Sequence, residues 1–285
     1  VSDPKAFVEV TKPKQTLLLM VTCVVSYLVA SGKTLDLDRF AITCLATSLA
    51  IAGTTALNMC IDCDIDALMG RTKDRPLPSG RLSLKICAVY GSALFLAGFL
   101  LGFSVNIYLP IVLFLGLFFD IVVYSILLKR RSPYSIILGG FAGAMPALAG
   151  WVAVRGGDVL GGLILATIVL LWIPAHIWYI SMHYEEDYRR AKIPMFPLVV
   201  GMEKASWAIV FSTILMMFLI PTVYVIADLD PVYLAVSLIV TGYFLCRAIR
   251  FARSPSKENA KVMYKLASLT LGTVYILFLF GSFFG

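Results

Sequence analysis

Two long polar segments of similar pattern stand out in a largely apolar chain, and their side chains are ones that could do chemistry. The first runs from Asn58 through Asp62, Asp64 and Asp66 to Arg71, Lys73, Arg75, Pro76 and Pro78. The second runs from His183 through Glu185, Glu186 and Asp187 to Arg189, Arg190, Lys192, Pro194 and Pro197. Each begins with acids, passes into bases and stops at two prolines, which suggests a weak internal repeat with one acidic cluster from each half. Asn58, Asp62 and Asp66 stand four residues apart, so a continuing helix places them on one face and turns Asp64 away. Like charges at that spacing repel, and the pair needs a compensating cation. A few hard oxygen ligands facing a cavity suit Mg²⁺ that also takes oxygens from a phosphate. The bases then have a task. Arg71, Lys73 and Arg75, with Lys129, Arg130 and Arg131 from a third polar segment, can stabilise charge developing on a phosphate leaving group. The competing account is a solvated acidic helix end balanced by nearby bases, which a membrane topology signal would place in these loops in any case.

The rest of the chain is what must position these groups. Of 285 residues, 60% are hydrophobic and only 14% charged, whereas soluble chains run at roughly 45–50% and about 25%. Apolar runs long enough to span a bilayer follow one another at about 15–31, 39–57, 86–104, 107–128, 134–154, 159–181, 205–226, 231–249 and 263–283. They do not alternate apolar with polar, which excludes a β-barrel. The expectation is an all-α polytopic membrane protein of nine helices forming a single domain over residues 1–285. The net charge of +7 raises the question of nucleic acid, but the bases are not spread evenly. With the N-terminus inside, 21 of the 24 Lys and Arg fall in inside segments, leaving only Lys33, Arg39 and Arg155 outside. That asymmetry is the positive-inside rule and removes any need for a nucleic-acid partner. It predicts a multi-pass protein of the cell membrane with its N-terminus and both acidic loops cytoplasmic. The first apolar run is long enough to span, so it reads as a helix rather than a cleaved leader.

Some polar residues lie within the predicted spans. Asp120 falls inside the fourth, where a carboxylate is costly unless it faces a polar interior, and Tyr124 follows one turn later on the same face. His176, one of two histidines, follows Pro174 in the sixth span and could act as a base or an iron ligand, or serve only in packing. Gly139, Gly140, Gly143, Ala144 and Ala147 form a small-residue face suited to close helix packing. Cys60 and Cys63 have the spacing of a metal or redox pair, but no second pair completes a zinc set, so they read as small core residues.

Asn58-xxx-Asp62-xxx-Asp66 resembles the NxxxDxxxD motif of the UbiA superfamily of intramembrane prenyltransferases. Wider blocks extend the likeness: Asp62 to Pro76, Tyr124 to Pro133, Gly139 to Trp151, and Trp172-Ile-Pro174-Ala-His176-Ile-Trp178 followed by Asp187-Tyr188. Together they cover residues 58–200 and are most similar to the branch of the superfamily that farnesylates heme. The resemblance implies nine helices around a central cavity, with two Asp-rich motifs binding Mg²⁺ and a prenyl diphosphate of farnesyl length or longer. It implies Asp62, Asp66, Asp187 and Glu186 as metal ligands, with Asn58, Arg71, Lys73, Arg75, Lys129 and Arg130 on the diphosphate. Asp120, Tyr124 and His176 are then catalytic candidates. One feature departs from the wider pattern: the second motif is His183-xxx-Asp187 rather than DxxxD, as in the heme branch. The implied acceptor is heme B held in the bilayer. A 4-hydroxybenzoate or geranylgeranylglyceryl phosphate acceptor is the alternative, and a transporter is a remote one.

Overall fold

The computed structural model describes residues 3–285. Every regular element among them is helical. In chain order the helices are α1 (Pro4–Val10), α2 (Pro13–Ser31), α3 (Leu37–Ile61), α4 (Cys63–Leu68), α5 (Leu84–Gly102) and α6 (Tyr108–Leu117). The last runs without a break into a π-helix, Phe118–Leu128. There follow α7 (Ser135–Arg155), α8 (Leu160–His183), α9 (Glu185–Arg190), α10 (Phe196–Val200), α11 (Met202–Ile226), α12 (Pro231–Arg253) and α13 (Lys257–Phe284). Counting α6 and the π-helix as one, nine helices among the described residues are long and apolar enough to cross a membrane. The protein is thus the all-helical, multi-pass membrane protein that its composition predicts.

Polar caps carry several helices past the apolar runs. Asp36 accepts from the Arg39 N–H at 3.0 Å and starts α3 two residues early. Ser256 accepts from the Asn259 N–H at 3.2 Å and starts α13 six residues early. Such side chains satisfy amides left open in a first turn. The outer surface is apolar: Phe218 is 73% exposed and Val225 81%, a surface that bilayer hydrocarbon can cover.

The spans pack in chain order around a ring. Each of α2, α3, α5, the α6–π span, α7, α8, α11, α12 and α13 touches its successor, and α13 returns to α2. Association in lipid depends on close approach, so small residues sit at the tightest contacts. A methyl on Gly53 of α3 would lie 2.9 Å from the Cα of Phe95 on α5. On α7, a methyl on Gly139 would lie 2.6 Å from Tyr124 Cδ2. Gly139 therefore makes room for the Tyr124 ring, while Gly140 and Gly143 admit Leu170 and Ile173 of α8. The polar loops α3–α5, π–α7 and α8–α11 all emerge at one end of the ring, because spans alternate in direction.

Candidate active site

Asp62 marks a break in the backbone rather than the middle of a helix. α3 ends at Ile61, Asp62 adopts φ −90° and ψ 1°, and α4 begins at Cys63. The four-residue bonds nonetheless carry through: the Asp62 N–H donates to Asn58 O at 3.0 Å and the Asp66 N–H to Asp62 O at 2.8 Å. The predicted shared face survives the break. Asn58, Asp62 and Asp66 are all buried, while the Asp64 side chain is 65% exposed.

Each buried acid meets a base. Lys129 Nζ lies 2.5 Å from Asp62 Oδ2, and Arg75 Nη1 lies 2.6 Å from Asp66 Oδ2. Asp62 Oδ1 is buried without a hydrogen-bond partner. A buried carboxylate oxygen normally has a partner, so this orphan fits a cation. Among the described residues no three His, Cys, Asp or Glu side chains converge as a complete metal site.

Lys129 reaches Asp62 because of the π-helix. At 3.6 residues per turn, Asp120 and Lys129 would stand about two and a half turns apart, on opposite faces. The wider π turn, with its bond from residue i to i+5, brings nine residues close to about two whole turns. The Lys129 N–H donates to Tyr124 O at 2.7 Å in that register, and its ammonium lies 5.4 Å from the Tyr124 ring centre. Ser125 pins the stretch to α3: Asn58 Nδ2 donates to its hydroxyl at 2.7 Å, and the hydroxyl donates to Asp120 O at 2.8 Å. Asp120 lies within electrostatic reach of Lys129 and Asp62.

Other predicted residues are placed differently. Arg130 turns outward, paired in two bonds with Asp64 at 2.6 and 2.7 Å, and its guanidinium holds the Asp64 carboxyl below the usual range. Lys73 is exposed. Arg71 lies 5.3 Å from the Tyr184 ring centre. Asp187 joins the two acidic loops: it accepts from the Gly70 N–H at 3.0 Å and the Arg71 N–H at 3.3 Å. Glu186 is 84% exposed, 3.9 Å from Lys257, and no described contact brings it to Asp62 or Asp66. Glu185 pairs with Arg189 at 2.6 Å and Lys257 at 3.1 Å, anchoring α9 to the start of α13. Burial pushes its carboxyl up, but these two bases outweigh that and hold it below the usual range.

His176 stands apart from this cluster. It stacks on Trp172 with ring centres 4.8 Å apart, and its Nδ1 lies 2.9 Å from Ser268 Oγ on α13. Ser268 Oγ also lies 3.0 Å from Tyr264 O, so its proton can turn to either neighbour and both imidazole tautomers fit. A chain of rings, His176–Tyr264–His183–Tyr184, leads back to Arg71, with centres 4.6 to 6.5 Å apart. Sequence reasoning missed Ser125 and Ser268, since a serine in an apolar span carries no positional signal. It also passed over Lys12, counted only as a topology charge.

A closed ring of spans with buried, paired acids and bases at one end is an arrangement suited to chemistry at the mouth of a membrane-embedded site. A match to the UbiA prenyltransferase family covers residues 19–269, and the chain belongs to that family. It is 60% identical over 279 residues to a protoheme IX farnesyltransferase of Archaeoglobus fulgidus, covering 98% of both chains. A solved structure of digeranylgeranylglyceryl phosphate synthase superposes with TM-score 0.82 at 23% identity, covering 98% of each. A UbiA homologue from Archaeoglobus fulgidus, solved bound to GPP and Mg²⁺, gives TM-score 0.66 at 13% identity, covering 96% of this chain and 99% of that one. The protein is a prenyltransferase, and the transporter alternative falls.

Proposed function

We propose that this chain carries out Mg²⁺-dependent transfer of a farnesyl group from its diphosphate to a vinyl group of heme B. The observation that carries the donor half is the buried Asp62–Asp66 pair, interleaved with Lys129 and Arg75 and presenting one unpartnered carboxylate oxygen. Asp62 and Asp66 would hold Mg²⁺, with Asn58 and Asp187 beside them. A divalent ion held there would supply positive charge that neutralises the departing diphosphate. Lys129 and Arg75 provide the further positive charge against which the diphosphate departs.

The C1–O bond of the donor breaks with its electron pair passing to the diphosphate oxygen, leaving an allylic cation. The vinyl π pair of the acceptor forms the new C–C bond. The cation left beside the pyrrole ring takes a water oxygen and releases a proton, giving a hydroxyethyl side chain. Apolar helix walls keep water away until the C–C bond has formed and hold the isoprenoid tail at about 0.8 kcal/mol per CH₂ buried. The heme acceptor is supported by the 60% identical relative and by His176, whose imidazole is a side chain suited to heme iron. The concentration of bases at the site's end of the ring supports a cytoplasmic mouth.

Purified protein with farnesyl diphosphate and Mg²⁺, offered heme B, 4-hydroxybenzoate and geranylgeranylglyceryl phosphate in parallel, tests the reading by mass spectrometry. Farnesylated heme and little other product is the expected outcome. Turnover of another acceptor with no heme product would overturn the acceptor assignment and leave the donor chemistry standing.

A further inference from the structure

Lys12 occupies the turn between α1 and α2 in a conformation that lysine does not favour. Its φ is +44° and ψ +63°, in the left-handed region where glycine is preferred. Pro13 follows, and the residue before a proline is biased toward extended backbone. The turn itself accounts for the conformation, since the Lys12 N–H donates to Glu9 O at 3.1 Å and its carbonyl accepts from the Thr16 N–H at 3.0 Å. Left-handed residues are common at such helix ends, and Lys192 and Asp228 are two more in this chain. What the turn does not account for is a lysine. Lys192 is exposed, whereas Lys12 is half-buried.

The surroundings of that ammonium are informative. Ala6 and Val10 of α1 pack with Ala56 and Met59 of α3 and with Leu77, which sets the turn beside the Asn58–Asp66 segment, and Arg75, Lys129, Asp120 and Asp66 all act on the ammonium electrostatically. Arg75 and Lys129 each have a carboxylate at bonding distance. Lys12 has no ion pair among the described residues. Burial, then the two neighbouring bases, pull its pKa down to about 8. A half-buried cation set near Arg75 and Lys129 as well as Asp120 and Asp66, with no carboxylate at bonding distance, is stabilised by an arriving anion.

We propose that Lys12 is a further diphosphate-binding residue, bringing its ammonium to the head group from the α1–α2 turn. The proposal rests on the donor reading above. It makes the N-terminal turn part of the pocket and gives the diphosphate a cation that no carboxylate of the protein already holds.

The test separates the turn from the charge. Lys12→Gly keeps and relieves the turn while removing the ammonium. In detergent it should raise the apparent melting temperature by roughly 2–4 °C. It should also weaken binding of inorganic pyrophosphate and of farnesyl thiodiphosphate, measured by calorimetry with Mg²⁺, by about 10- to 100-fold. Lys12→Asn, which also tolerates the left-handed region, should show the same loss. Lys12→Arg should bind within about threefold of the natural protein. Lys192→Gly should gain stability with no change in binding. Natural affinity for both probes in Lys12→Gly and Lys12→Asn would overturn the proposal and leave Lys12 a turn residue. So would a loss confined to the farnesyl probe. Failure of the natural protein to bind either probe would instead overturn the donor reading, and this proposal with it.

Discussion

Replacing the three aspartates of the first loop one at a time asks whether position on the helix face decides function. The Asp62 side chain is 4% exposed and its partner Lys129 13%; Asp66 is 6% and Arg75 27%. Asp64 and Arg130 are 65% and 43% exposed. Removing one member of a buried pair strands the other and costs about 3–5 kcal/mol, whereas an exposed pair contributes about 0.2–1 kcal/mol. Asn substitutions keep the side-chain size, so Asp62→Asn and Asp66→Asn should melt roughly 6–20 °C lower and Asp64→Asn within about 4 °C of the natural protein. Diphosphate release, measured below the lowest transition at saturating Mg²⁺, should fall at least about 100-fold for Asp62→Asn and Asp66→Asn. For Asp64→Asn it should stay within about threefold, because its partner Arg130 lies outside the cluster. Equal losses at all three positions would refute the face argument, and a larger loss at Asp64 would invert it.

Three further expectations follow from other contacts. Asp187→Ala should release the Gly70–Arg71 turn, seen as faster amide exchange at those two residues together with loss of turnover; unchanged exchange would reduce Asp187 to a metal ligand alone. His176→Ala should weaken heme binding in an absorbance titration by at least about tenfold while leaving pyrophosphate binding intact. Ser268→Ala should shift the heme spectrum in the same direction by less, and a natural spectrum in both variants would remove the iron-ligand role. In a cysteine-free background, Cys at Ser79 and Ser254 should react with an impermeant maleimide from the cytoplasmic side and Cys at Asp158 from the other. Reaction of all three from one side would sink the ring topology.

The spans were legible because bilayer thickness demands a run of apolar residues that no folding detail can disguise. Their ends were less so, since α3 and α13 begin at polar caps such as Asp36 and Ser256 that hydropathy counts as loop. The face shared by Asn58, Asp62 and Asp66 followed from spacing alone and survived a break in the helix that spacing could not foresee. The division of labour between Lys129 and Arg130 was not legible. They are adjacent bases of one loop, and only the rotation of the preceding helix sends one to Asp62 and the other to Asp64. Lys12 was absorbed into a count of topology charges, and the serines that hold Asp120 and His176 in place differ in nothing but location from those that merely cap their own helix.

The π-helix gives the number of residues between Asp120 and Lys129 a meaning that their identity does not carry. Apart from Tyr124 and Ser125, the six other intervening positions are aliphatic and could be exchanged for other apolar residues with the span still crossing the membrane. One residue fewer would leave hydropathy, charge and motif unchanged, yet would turn the lysine away from Asp62 by roughly the angle of one helical step. Along this stretch, insertions and deletions are therefore the substitutions that matter. Two family members alike in every recognisable motif can differ in function by the length of a segment that looks like filler.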